Sequence, residues 1–123
     1  MTSIRVSGPV FDGRAEAECA RICDEAESDV AAQGYSDVMT TLNARIKHPT
    51  PYYETQVTVS KEVGGRLIHD RGVVYGPWLE GTSPRNRSTR FKGYRAFTLA
   101  KLALPSKARA IVENAVRRGL GRL

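Results

Sequence analysis

The chain has 123 residues, 41% of them hydrophobic and 26% charged, with a formal net charge of +6. That length holds one domain, residues 1–123, with a modest core, and the composition argues against wholesale disorder. No apolar run approaches the ~20 residues a membrane helix needs, and Met1 to Val10 lacks the pattern of a signal peptide, so no membrane partner is expected.

The first element in the chain is a helix. Phe11, Ala15, Cys19, Ile22, Cys23, Ala26 and Val30 recur at spacings of three and four, with the acids on the opposite face. Asp12 reads as its cap and Gly34 as its end or a kink. The only two cysteines, Cys19 and Cys23, share the apolar face, which predicts buried thiols rather than a disulfide. A second helical set, Tyr35, Val38, Met39, Leu42 and Ile46, runs up to His48-Pro-Thr-Pro51, where two prolines stop it.

From Tyr52 to Glu62 the period becomes two, predicting a strand that turns at Gly64-Gly65 and returns over Arg66 to Tyr75, with Gly72 as a candidate bulge. The hairpin therefore spans about 52–75. Gly76 to Gly93, with Pro77, Gly81 and Pro84, reads as a long loop. Tyr94, Phe97, Leu99, Leu102 and Ala103 predict a short helix broken near Leu104-Pro105. A last helix places Ala108, Ile111, Val112, Ala115 and Val116 on one face and ends at Gly119. The fold class is α+β: a small antiparallel sheet with an N-terminal amphipathic helix and C-terminal helices.

Charge is polarised along the chain. Glu16, Glu18, Asp24, Glu25, Glu27, Asp29 and Asp37 make the first helix acidic. From Arg85 onward, Arg85, Arg87, Arg90, Lys92, Arg95, Lys101, Lys107, Arg109, Arg117, Arg118 and Arg122 face one acid, Glu113. Such a chain binds nucleic acid through its basic end or copies of itself head to tail, and charge alone does not separate the two.

Nothing in the sequence asks for catalysis. His48 and His69 lie near no nucleophile at triad spacing, and there is no phosphate-cradling loop, nucleophile elbow or cluster with metal-ligand spacing. Neither Glu54 with Glu62 nor Asp70 with Glu80 has a sequence reason to share a cleft. No enzymatic activity, cofactor or metal is expected. A small basic nucleic-acid-binding protein is the alternative reading, because Arg85, Arg87, Arg90, Lys92 and Arg95 interleave with Phe91 and Tyr94, suited to phosphates and bases. Trp78, the single tryptophan, follows Pro77 and reads equally as core or as a partner anchor.

The run Val73-Val-Tyr-Gly-Pro-Trp-Leu-Glu-Gly-Thr-Ser-Pro-Arg-Asn, with Thr89-Arg-Phe-Lys-Gly-Tyr-Arg-Ala-Phe after it, resembles a signature of small tail-completion or neck proteins of long-tailed bacteriophages. Tyr75, Gly76, Pro77, Glu80, Gly81 and Thr82 match the wider pattern. Ser83, Arg85, Asn86, Arg90, Phe91, Lys92, Gly93 and Tyr94 match an actinophage-like subgroup. The close match covers about a fifth of the chain; the remainder agrees only in layout. Many members carry an Asp-Thr-Gly-type motif where this chain has His48-Pro-Thr-Pro-Tyr-Tyr, which leaves the station open among connector, tail completion and tail terminator.

The resemblance implies a structural virion protein, assembled from the host cytoplasm into a homo-oligomeric ring. Its expected partners are itself and adjacent neck and tail proteins, with DNA passing through the lumen without sequence-specific contacts. The interface residues it suggests are Tyr75, Trp78, Glu80, Arg85, Arg87, Arg90, Phe91, Lys92 and Tyr94. In that scheme the acidic helix and the basic distal half supply complementary surfaces. Arg85, Arg87 and Arg90 reach a neighbour, Glu80 fixes the start of the loop through backbone donors, and Trp78 and Phe91 anchor it.

Overall fold

A computed structural model describes residues 2–8, 12–46 and 52–123. The elements in order are α1 (Arg14–Arg45), α2 (Tyr52–Gln56), β1 (Thr58–Glu62), β2 (Gly65–His69), α3 (Gly76–Glu80), α4 (Arg85–Ser88) and α5 (Ala96–Gly121). The architecture is α+β, with α1 and α5 packed antiparallel and a two-stranded antiparallel hairpin laid on α1. Phe11 and the His48-to-Pro51 stop signal fall outside the described residues.

Two helix breaks expected from the sequence are overridden. Gly34 lies buried inside the single 32-residue α1, because its missing side chain admits Ile68 and Leu104. A β-carbon there would sit 2.7 Å from Ile68 Cδ1, so the glycine's intrinsic helix cost, about 1 kcal/mol, is offset by packing. Pro105 likewise stays inside α5, at an exposed position where water can reach the carbonyl that loses its backbone bond. At the start of α1 the cap is Gly13, and Asp12 accepts the Arg14 N–H from one residue earlier.

The expected strand from Tyr52 is also corrected. Tyr52 to Gln56 form a helical turn that buries Tyr53 and Glu54, and β1 begins only at Thr58. The turn is Val63-Gly64, with Gly64 at φ 79°, while Gly65 already pairs with Glu62 in β2. The returning strand stops at His69, and Gly72 sits in the turn after it instead of in a bulge.

The core is small and lies at one end. Val38, Leu42, Tyr53, Val57, Ala96 and Ala100 form it, flanked by Met39, Leu79 and Phe97. Along the rest of the helix pair the seam is made of small residues, with Ala115 and Gly119 of α5 against Ile22 and Ala26 of α1. Cys19 and Cys23 are exposed, contrary to expectation, because Ile22 and Ala26 define the buried side and the thiols lie around the helix from it.

Ion pairs line the same seam. Arg122 bridges Glu18 (2.6 Å) and Glu25 (3.1 Å), Arg118 meets Asp29 (2.6 Å), and Lys107 meets Asp37 (2.8 Å). The hairpin adds Lys61 and Arg66 on Asp24, both at 3.0 Å. Arg66 Nε also lies 3.1 Å from Glu27 Oε1, close enough for an ion pair though not aligned as a hydrogen bond.

Replacing Gly119 with alanine drives a β-carbon into the Ile22 side chain, whereas Gly121 faces open space. Overpacking costs about 1–3 kcal/mol and outweighs a helix gain of about 0.5–1 kcal/mol. Urea denaturation should therefore show Gly119→Ala less stable than the parent and Gly121→Ala equal or slightly better; equal stabilities for the two would contradict the seam.

Lys61 holds the Asp24 carboxyl below its ordinary value, Arg122 does so for Glu25, and Lys107 for Asp37. Depressed carboxyls contribute stability that is complete above the unfolded values of 3.8 and 4.5 and is lost as pH falls through the folded ones. The urea midpoint should fall between about pH 6 and about pH 3, and fall less in about 1 M salt, where exposed pairs are screened. A flat profile would remove these pairs from the account.

Candidate interaction loop and adjoining groove

The motif region is an ordered loop closed at its base. Pro77 enters α3 in its first turn, and Gly81, at φ 99°, ends that helix with its N–H on Pro77 O. The chain leaves, makes the one-turn helix α4, and returns so that the Tyr94 N–H meets Leu79 O at 2.6 Å. At the crossing, the Gly81 and Gly93 backbones touch; a β-carbon on either would collide with the other strand of the loop. Short separation between its ends and packing by its own side chains make residues 81–93 an Ω-type loop.

Three polar side chains brace it. Asn86, 3% exposed, donates to Trp78 O (3.2 Å) and Phe91 O (3.0 Å) and accepts from the Ser83 N–H (3.0 Å). Lys92 Nζ donates to Asn86 O (2.7 Å) and Arg87 O (3.3 Å), satisfying carbonyls at the end of α4. Glu80 accepts from the Phe97 and Thr98 N–H groups, both at 2.9 Å, and from the Thr98 hydroxyl. Glu80 thus fixes the start of the loop through backbone donors, and those donors belong to the first turn of α5, so the loop base is locked to that helix.

The aromatic residues pack on one another. Trp78 and Phe91 centroids lie 5.0 Å apart, Phe91 and Tyr94 are edge-to-face at 5.1 Å, and the Arg85 guanidinium sits 5.5 Å above the Trp78 ring. Tyr75 stands apart, with its ring centroid 6.0 Å from that of Tyr53. Of the nine interface candidates, Trp78, Glu80, Phe91, Lys92 and Tyr94 therefore build the loop. Arg87 and Arg90 are exposed on its outside, with Arg85 beside them. Among the described residues none of Arg85, Arg87 and Arg90 forms an ion pair.

An open groove of about 470 Å³ adjoins the loop base, with Tyr53, His69, Asp70, Pro77 and Glu80 in its wall. It does bring Asp70 and Glu80 together, which sequence alone gave no reason to expect. Asp70 accepts the Tyr53 hydroxyl (2.9 Å) and the Gly72 N–H (3.0 Å), and burial with that carboxylate raises the Tyr53 phenol above its ordinary value. His69 Nδ1 accepts the Arg71 N–H at 3.0 Å, which assigns the proton to Nε2, 2.6 Å from Ser60 Oγ. Each of these polar groups is engaged in holding the turn between β2 and α3. Glu62 is exposed at the hairpin tip and Glu54 is buried in α2. Among the described residues no group of three or more His, Cys, Asp or Glu is placed to hold a metal ion.

Asn86 was visible in the sequence only as part of a string of residues; its role depends on the loop closing around it. Asn86→Asp keeps the shape and removes both donors, leaving the Trp78 carbonyl without its side-chain partner and the Phe91 carbonyl with only the longer bond from the Thr89 hydroxyl, at 3.3 Å. The expected cost is about 1–3 kcal/mol, with Trp78 fluorescence shifting to the red as the ring gains water. Parent-like emission and stability in this variant would show that the strap is dispensable.

No family model, curated protein or solved structure matches the chain, so the functional reading stands on the loop and on the motif residues that build it.

Proposed function

We propose that the chain is a non-enzymatic structural subunit of a bacteriophage neck or upper tail, forming a homo-oligomeric ring that joins tail to head or terminates the tail tube. The observation that carries the reading is the loop of residues 81–93: its motif residues hold one another, and the charged side chains they leave outside include Arg85, Arg87 and Arg90, which form no ion pair among the described residues. Such a loop is rigid enough to fit a fixed neighbour and charged enough to select an acidic one.

The charge pairing revises how the surfaces divide. Glu18, Asp24, Glu25, Glu27, Asp29 and Asp37 are occupied by Lys61, Arg66, Lys107, Arg118 and Arg122 of the same chain. The acidic helix is thus spent within the subunit and is a poor receptor for a second copy's arginines. Arg85, Arg87 and Arg90 are directed instead at an acidic surface of an adjoining neck or tail protein.

The alternative, a nucleic-acid-binding protein, retains the arginines for phosphate contact. It loses the aromatic half of its case, because Trp78, Phe91 and Tyr94 stack on each other and offer few free faces to bases.

Replacing Arg85, Arg87 and Arg90 together with serine should leave the chain folded and cost about 1 kcal/mol or less, most of it from the lost contact of Arg85 over Trp78, since all three side chains are exposed. Particle assembly with that variant should yield heads and tails that fail to join, while the parent chain copurifies with complete virions. Normal plaque formation by the triple variant would overturn the role of the arginines. Absence of the parent chain from purified particles, combined with salt-sensitive retardation of DNA, would favour the alternative.

A further inference from the structure

Residues 2–7 form neither helix nor strand and are exposed, and Gly8, at φ 124°, makes a bend before α1. Ile4 and Val6, 92% and 66% exposed, alternate with Ser3, Arg5 and Ser7. That is the period of a strand with one apolar face, and no partner strand lies beside it among the described residues.

The hairpin offers the matching half. It has only two strands, so β2 carries an open outer edge. In a two-residue hairpin the closing pair, Glu62 and Gly65, exchanges hydrogen bonds, and the alternation then turns the backbone groups of Arg66 and Ile68 outward. A groove of about 300 Å³ has an apolar wall of Ala26, Val30 and Ala31 of α1, Ile68 of β2, and Leu104 and Val112 of α5, with the paired Glu27 and Arg66 at its side. It takes no residue from β1, so it opens on the β2 side of the sheet.

We propose that residues 2–8 of one copy add as a strand to the outer edge of β2 in a second copy, with Ile4 and Val6 entering this groove. The strand parity agrees: side chains neighbouring Arg66 and Ile68 fall on the α1 side of the sheet, while Arg5 falls on the outer face beside Leu67. Main-chain bonds to a sheet edge supply affinity and alternate side chains in a groove supply register.

Reach selects a second copy over the same one. Gly8 is held at the start of α1 by the Asp12 N–H, 3.1 Å from its carbonyl. The groove residues of α1 lie 12 to 17 positions beyond Arg14, about 18–26 Å along the helix. From Gly8, an extended chain reaches about 7 Å to Val6 and about 14 Å to Ile4, and falls short. The contact is heterologous, segment to groove, and such contacts propagate around a closed ring. The inference thus rests on the self-assembling reading given above.

The test is a cross-link between copies in a background where Cys19 and Cys23 are replaced by serine. One copy carries Val6→Cys and a differently tagged copy carries Val112→Cys; the purified mixture is oxidised with copper phenanthroline. A disulfide between the two tags is expected, its yield reduced about tenfold or more when Ile4→Asp is added to the first copy, because a charge is then driven into the groove. No product between copies, or an equal yield with Ile4→Asp, overturns the proposal. So does a chain carrying both Val6→Cys and Val112→Cys that closes on itself with a yield independent of concentration. Loss of the cross-link in a chain that still copurifies with virions removes the segment exchange and leaves the neck reading standing; absence from virions removes the neck reading.

Discussion

The antiparallel seam of α1 and α5 sets the position of everything else in the molecule. The two helices run 32 and 26 residues, about 48 and about 39 Å, and among the described residues the largest fully buried side chains are only Leu42 and Val38. A core that small does not hold such long helices together by volume of buried hydrocarbon. Close approach does: Gly119 takes the side chain of Ile22, and Gly34 admits both Ile68 and Leu104. Once the axes are close, the acids of α1 and the bases of α5 come within ion-pair distance in register, from Glu18 with Arg122 to Asp37 with Lys107. Exposed pairs of this kind contribute little singly, and their register follows from the packing instead of causing it.

The seam also fixes the loop. Glu80 is tied to the first turn of α5, and Arg45 at the end of α1 donates to Tyr94 O at 3.2 Å. The base of the loop is therefore held by both long helices, at the end of the molecule where the apolar core is concentrated. Rigidity there and charge outside are consequences of one arrangement, in which glutamate, asparagine and lysine face inward and Arg87 and Arg90 are left on the surface.

Much of the layout was legible in the sequence because it depends on local pattern. The three-and-four spacing marked the helices, and the alternation from Tyr52 to Glu62 followed by Gly64-Gly65 marked the hairpin, although its strand starts only at Thr58 and its turn is Val63-Gly64. The errors share a cause: local signals were read without the partner that overrides them. Gly34 and Pro105 are breakers in isolation, yet one is used for contact and the other is turned to solvent. Tyr53 alternates with its neighbours as a strand residue would, but the core needs it on a helical turn with its hydroxyl on Asp70. Cys19 and Cys23 were placed inside by apolar character, although the seam selects Ile22 and Ala26. Within the loop, Gly81 and Pro77 announced a turn, whereas the bond from Glu80 to Phe97 joins residues 17 apart and left no local trace.

Charge needed the same revision. A polarised sequence suggested two complementary surfaces on different subunits, but the antiparallel seam brings the poles together inside one subunit. Among the described residues Arg85, Arg87 and Arg90 stay outside that pairing, as do Arg71, Arg95, Lys101 and Arg117, and it is the arginine face of the loop that carries the central claim about assembly. A side-chain-resolution electron micrograph reconstruction of the particle neck tests it most directly. The account predicts a ring of this chain with Arg85, Arg87 and Arg90 within about 4 Å of carboxylates on a different protein. Those arginines facing solvent, or lying against α1 of a neighbouring copy, would contradict it.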